Sequence, residues 1–152
     1  MNIDWLTGFY EGEGTPNSGY DFALYIPQKG KAVLDLIQET FGGSVLEERV
    51  GPYAKEGYTN WQWRIYGKAA VELAYELLSH MHSPYKIEQL KQALIVSGHM
   101  EPRNEEEAEE ARKKDVATKE YMRNYHQKSR MVRKYIREHP EIVAKLEEER
   151  NQ

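Results

Sequence analysis

Apolar residues in the first two thirds of the chain follow two spacings, which predict two kinds of element. Intervals of three and four predict four helices, and alternation of apolar and polar residues predicts two hairpins. The helices cover residues 3–11, 31–41, 68–81 and 83–97, and the strands cover residues 15–18, 20–27, 44–50 and 60–67. This order predicts an α+β fold with helices on one face of a four-stranded antiparallel sheet.

The sign of the charge changes along the chain and divides it into segments. The net charge of −4 over 152 residues hides eight basic and twelve acidic residues in 1–100, one Arg against six Glu in 101–110, and ten basic against two acidic residues in 111–137. We predict a domain over residues 1–100, an acidic linker over 101–110 and a helical tail over 111–152, basic and then acidic. The total charge therefore does not exclude a nucleic-acid partner.

Composition excludes several classes of protein. The chain has no cysteine, which excludes disulfides and cysteine-ligated metal. No apolar run approaches the ~20 residues of a membrane span, and the first residues lack a signal-peptide pattern, so we expect an intracellular protein without a membrane partner. His80 and His82 adjoin no third ligand in sequence, and no zinc site is predicted.

Three charges oppose the dipoles of their predicted helices. Glu11 and Glu13 stand at the C-terminal end of the first helix, and Lys86 stands in the first turn of the fourth, placements that cost ~0.3–1 kcal/mol each. Simple solvent exposure would explain them at negligible cost. Alternatively, carboxylate and lysine would suit a hydrated divalent cation facing a phosphodiester. Spacing alone leaves both interpretations open.

The run Leu6-Thr7-Gly8-Phe9-Tyr10-Glu11-Gly12-Glu13-Gly14, preceded by Trp5, resembles the signature of the LAGLIDADG homing endonucleases. The resemblance extends over about residues 3–98. It includes the order of elements and four later features: Gln28, Phe41-Gly42-Gly43, the segment 61–67, and Lys86-x-x-Gln89. Because the chain holds one copy of the motif, the resemblance implies a homodimer. The first helices of the two copies would pack about a two-fold axis, and Leu6, Gly8, Phe9 and Gly12 would form the dimer interface.

The resemblance also implies the chemistry of the site. Glu13 would be the metal-binding acid, for Mg²⁺ or another divalent cation such as Mn²⁺, and Glu11 would have a structural or capping role. Gln28 would orient the hydration network near the scissile phosphate, and Lys86 would stabilise charge that develops there. If the alignment is anchored on Gln92 and Ala93 instead, the basic position falls on Gln89, with Lys91 as a substitute.

A family member of this type would make a double-strand break in a long, roughly palindromic DNA site, and it would be encoded by an intron, an intein or a free-standing gene. The alternatives are a non-catalytic DNA-binding regulator of the same fold and an intron RNA maturase. With Phe22, Leu24 and Ile26 facing the helices, the open sheet face would meet DNA. The candidates there are Tyr25, Lys29, Arg49, Gln62 and Arg64. Arg123, Lys128 and Arg130 in the tail would add contacts with phosphates, unless that helix serves dimer packing or lies exposed.

Overall fold

The computed structural model describes residues 1–19, 21–48 and 60–141, and its order of elements confirms the predicted α+β class. It divides into two compact units, Met1–Lys113 and Lys114–Gln152. The helices are α1 (Ile3–Glu13), α2 (Lys31–Phe41), α3 (Gly67–His80), α4 (Pro84–Val96) and α5 (Glu105–Glu138). The strands are β1 (Thr15–Asn17), β2 (Ala23–Gln28), β3 (Ser44–Glu48) and β4 (Asn60–Tyr66).

The four strands form one antiparallel sheet in the order β1-β2-β4-β3. Leu24, Ile26 and Trp63 are fully buried and share a face of this sheet with α1, α2 and α3 against it. Tyr25 has the opposite parity and pairs directly with Arg64 on β4. The predicted parity of β2 is therefore confirmed, and Tyr25, Gln62, Arg64 and Tyr66 occupy the face away from the core.

A glycine turn after α2 fixes the position of β4. Gly42 and Gly43 have φ values of +77° and +85°, a backbone conformation that residues with a side chain rarely adopt. The Trp63 indole Nε1 donates to the Gly42 carbonyl at 2.8 Å. A Cβ atom on Gly43 would lie 2.5 Å from the Arg64 carbonyl oxygen. The turn thus holds the strand that carries Arg64 close to the end of α2.

The structure corrects the predicted acidic linker, because α5 begins at Glu105 inside it. The Asn104 side chain accepts from the Glu107 backbone N–H at 2.9 Å and caps the helix. The Glu107 carboxylate accepts from Arg103 through its backbone N–H at 2.5 Å and its guanidinium at 2.8 Å. This hydrogen bonding lowers the pKa of Glu107 below its usual value. Glu107 and Ala111 are both buried, and the first unit ends after Lys113 rather than near residue 100.

The tail begins as a single helix, because α5 continues unbroken to Glu138. In the second unit, large apolar side chains on this helix are exposed, namely Val116, Tyr121, Tyr125, Met131, Val132, Tyr135 and Ile136. Most of the acidic end of the predicted tail, residues 142–152, lies outside the described residues. Within the described ranges, no helix combines the length and the apolar character that a membrane crossing requires.

Candidate functional site

The motif helix α1 ends where its last glycine meets a tyrosine ring. The Gly14 N–H donates to the Tyr10 carbonyl at 2.7 Å and closes the helix. Gly14 has an ordinary extended backbone, with φ −76° and ψ 152°. A Cβ atom there would nevertheless overlap the buried Tyr10 ring. Glycine is therefore required at this position by close packing and not by backbone conformation.

Glu11 lies with its carboxylate at the start of α4. Its Oε1 atom accepts from the backbone N–H of His82 at 2.7 Å and from that of Ser83, the N-cap residue, at 2.5 Å. Both N–H groups lie at the N-terminal end of α4, where backbone donors lack partners within the helix and the helix dipole favours an anion. The capping role predicted for Glu11 is confirmed, and its position at the end of α1 is explained by another helix.

Lys86 makes the reciprocal contact. Its Nζ atom donates to the Gly14 carbonyl oxygen at 2.7 Å, so the cation in the first turn of α4 binds the C-terminal end of α1. We call the set Glu11, Gly14, Ser83 and Lys86 the α1–α4 junction. An ammonium group has three N–H donors, and Gly14 takes one of them. Lys86 is thus held beside the end of the motif, and as far as the described residues show, two of its donors remain for a further acceptor.

Glu13 is the exposed carboxylate at this end of α1, directly before Gly14. Gln28, half-buried, is the last residue of β2. Thr15 pairs with Tyr25 in the antiparallel β1–β2 ladder. The chain that runs back from Thr15 toward Glu13 therefore travels in the same direction as β2 toward Gln28. Glu13, Gln28 and the α1–α4 junction consequently lie at one end of the hairpin.

The described residues contain no complete site for a divalent cation. Among the residues that the structure describes, no group of three or more His, Asp or Glu side chains is arranged to hold a metal ion. The Glu13 carboxylate suits Mg²⁺, which prefers oxygen ligands and keeps several waters.

One face of α1 is open in the protomer. Trp5 and Phe9 stack there with ring centroids 5.0 Å apart, and Trp5 is 42% exposed. A Cβ atom on Gly8 or Gly12 would meet nothing within 4 Å. The prediction that Leu6 shares this face is wrong, because Leu6 is fully buried in the core of its own protomer. It lies on the opposite side of the helix, beside Thr7 and Tyr10.

The open sheet face brings Tyr25, Gln62 and Arg64 together. The Arg64 guanidinium carbon lies 5.6 Å from the centre of the Tyr25 ring, and Arg64 Nε donates to Gln62 Oε1. Two residues outside the sequence candidates support this set. Asn17 Nδ2 donates to the Tyr25 hydroxyl at 3.0 Å, and Tyr66 meets the Tyr25 ring edge-on. The strand register that joins them could not be read from the sequence.

The remaining candidates for DNA contact are more widely spread. Lys29 is exposed immediately after β2, and Arg49 lies outside the described residues. Arg123, Lys128 and Arg130 are exposed on α5 in the second unit. Lys91, the alternative to Lys86, is half-buried in α4, and the Lys86 contact with Gly14 places Lys86 at the end of the motif.

No protein-family model and no curated protein matches the chain. Three similar solved structures are homing endonucleases with DNA, the class that the motif resembles. I-CvuI with its target in the presence of Ca is 20% identical, with a TM-score of 0.48, and the alignment covers 63% of this chain and 65% of that one. I-CvuI with the I-CreI target and Mg, in which the DNA is not cleaved, is 19% identical with a TM-score of 0.45, and the alignment covers 63% of this chain and 65% of that one. The archaeal intron-encoded I-Vdi141I with DNA is 18% identical with a TM-score of 0.47, and the alignment covers 63% of this chain and 66% of that one. The alignment spans less than two thirds of each of these chains.

Proposed function

We propose that the chain is a homodimeric, Mg²⁺-dependent DNA endonuclease of the LAGLIDADG type, which makes a double-strand break in a long, roughly palindromic site. The observation that carries the proposal is the division of labour between the two motif acids. Glu11 caps α4, whereas Glu13 stays exposed beside the Lys86 contact with Gly14. A motif that served packing alone would have no use for the second carboxylate.

The open face of α1 supports the homodimer. Gly8 and Gly12 are four residues apart, hence on one side of the helix, and both have empty space where a Cβ atom would stand. A second copy of α1 can approach closely at these glycines and cover Trp5 and Phe9. A two-fold axis along this contact would bring two Glu13 carboxylates together. The partner copy would therefore complete the site.

Two converging carboxylates repel each other unless a cation lies between them. Glu13 of each protomer would hold Mg²⁺, or another divalent cation such as Mn²⁺. When bound, the cation would supply Lewis-acid activation of water and of the phosphodiester. The two free donors of Lys86 would bind a phosphate oxygen as negative charge builds there. Gln28, at the same end of the hairpin, would hydrogen-bond to the water network next to the scissile phosphate.

DNA would lie along the open face of the sheet, with base contacts from Tyr25, Gln62 and Arg64. Lys29 and Arg49 would contact the flanking backbone. On α5, the exposed Arg123, Lys128 and Arg130 would neutralise phosphates and add affinity that does not depend on sequence. This basic segment compensates for the acidic balance of residues 1–100.

The test is a selection of cleaved sequences from a randomised double-stranded DNA library with Mg²⁺, beside a Glu13→Gln variant. The wild type should enrich and cut one site, leaving 5′-phosphate and 3′-hydroxyl ends. Glu13→Gln removes the charge at constant volume and should bind the same site while cutting it more than ~100-fold more slowly, since even the loss of a group behind a metal ligand costs 10–100-fold.

Two other results would replace the proposal. If the wild type binds a specific DNA site without cutting it under any divalent cation, the chain is a regulator that keeps the fold. Preferential retention of a structured intron RNA over duplex DNA would identify a maturase. In either case Glu13→Gln would behave as the wild type does.

A further inference from the structure

Arg64 stands at the centre of a side-chain cluster on the open face of the sheet. It lies directly opposite Tyr25 on the neighbouring strand and two residues after Gln62 on its own strand, so all three side chains share that face. The alternate positions on these strands, Leu24, Trp63 and Ile65, form the buried core. The backbone under Arg64 is therefore fixed by the packing on the other side of the sheet.

The side chain of Arg64 is held at two points. Its guanidinium carbon lies 5.6 Å from the centre of the Tyr25 ring, and its Nε donates to Gln62 Oε1. The Tyr25 ring is itself supported by the hydrogen bond from Asn17 at 3.0 Å and by the edge contact with Tyr66 at 5.9 Å. An arginine held in this way loses less conformational freedom when it binds a ligand than a free surface arginine does.

These contacts determine which donors Arg64 can offer. Since Nε is engaged by Gln62, a further bidentate contact would use the two terminal nitrogens, Nη1 and Nη2. Two parallel N–H donors match two neighbouring acceptors. In the major groove guanine presents such a pair, O6 and N7, whereas adenine places a donor beside its acceptor, cytosine presents a donor, and thymine presents one acceptor beside a methyl group.

We propose that Arg64, held in place by Tyr25 and Gln62, reads one guanine in each half-site of the DNA target. The inference rests on the proposed function, since it requires duplex DNA along the open sheet face. Phosphate is the other ligand that accepts bidentate hydrogen bonds from arginine, and a contact with phosphate would carry no base preference.

The experiment is binding-site selection from a randomised DNA library in Ca²⁺, with full-length wild type and the variants Arg64→Gln and Arg64→Lys. The wild type should require guanine at one position of each half-site. Arg64→Gln should shift that position toward adenine, because glutamine pairs with adenine N6 and N7. Loss of the arginine contact in Arg64→Gln should lower the preference for guanine about 5- to 150-fold per half-site, whereas Arg64→Lys, which can still donate to guanine O6 and N7, should keep part of that preference.

The matched control is Lys68→Gln, which removes one charge from α3 on the helix side of the sheet and should leave base preference unchanged. Circular dichroism and urea unfolding confirm that each variant folds. If Arg64→Gln weakens binding equally for all bases, or if it keeps the full guanine requirement, the guanine contact is refuted while the nuclease proposal stands. A wild type that enriches no DNA sequence would refute both.

Discussion

The two acidic residues of the motif should respond in opposite ways to the same substitution. Glu11→Ala removes a carboxylate that accepts two backbone N–H groups at the start of α4. A lost cap costs ~1 kcal/mol, and the charge at the helix end adds ~0.3–1 kcal/mol. Because Glu11 is half-buried, we expect Glu11→Ala to lower the free energy of unfolding by about 2 kcal/mol, near the upper end of this sum. Glu13→Ala removes an exposed anion from the negative end of α1 and should stabilise the fold by up to ~1 kcal/mol.

Urea unfolding followed by circular dichroism, at one protein concentration for both variants, measures the difference. With a slope of ~1–3 kcal/mol/M, the midpoint of Glu11→Ala should fall by about 1 M, and that of Glu13→Ala should stay level or rise slightly. The two changes have the same chemistry and lie on the same helical turn, so helix propensity contributes equally. Equal losses for the two variants, or an unchanged midpoint for Glu11→Ala, would show that the α1–α4 junction does not stabilise the fold.

Four further changes test other parts of the structure. Gly8→Leu fills open space on the surface of α1, so it should leave the monomer folded but abolish the proposed dimer in sedimentation analysis. Gly14→Ala would clash with the Tyr10 ring and should lower the melting temperature of the monomer itself. The Arg103 hydrogen bond lowers the pKa of Glu107, so this pair stabilises the fold above the unfolded carboxyl pKa and the stabilisation is lost as pH falls through the lowered folded value. The free energy of unfolding of Glu107→Gln, measured between neutral and acid pH, should lack this decline. A profile identical to that of the wild type would disprove the pairing. Joint replacement of Arg123, Lys128 and Arg130 by Gln should reduce the salt dependence of DNA binding by ~0.9 in the log–log slope for each cation that contacts a phosphate, and an unchanged slope would place DNA elsewhere.

The sequence predicted the order of elements because each depends on local spacing. The alternation of Phe22, Leu24 and Ile26 was enough to assign the core face of β2, since a slip of one residue would expose all three. The glycines after α2 likewise mark its end, since glycine adopts positive φ values without the steric penalty that other residues have. These features require no knowledge of distant contacts.

Features that depend on distant partners could not be predicted in this way. Glu11 and Lys86 violate local helix rules, and the reason is visible only when α1 and α4 are placed end to end. The run of glutamates after residue 101 indicated a solvated linker, yet Glu107 is buried by its pairing with Arg103. Counting charges does not reveal which of them are paired. Leu6 was assigned to the wrong side of α1 because apolar character alone does not separate a core face from an interface.

The α1–α4 junction also sets an order of events during synthesis. Glu11 accepts hydrogen bonds from backbone groups 71 and 72 residues later in the chain, and the Gly14 carbonyl accepts one from Lys86, 72 residues later. At ~5–20 residues per second, about 4 to 14 s separate the translation of the two halves of these contacts. An isolated helix of 11 residues is marginal in water, so α1 is not held in its final form before α4 arrives. The chain must therefore be synthesised as far as α4 before its motif helix can become rigid.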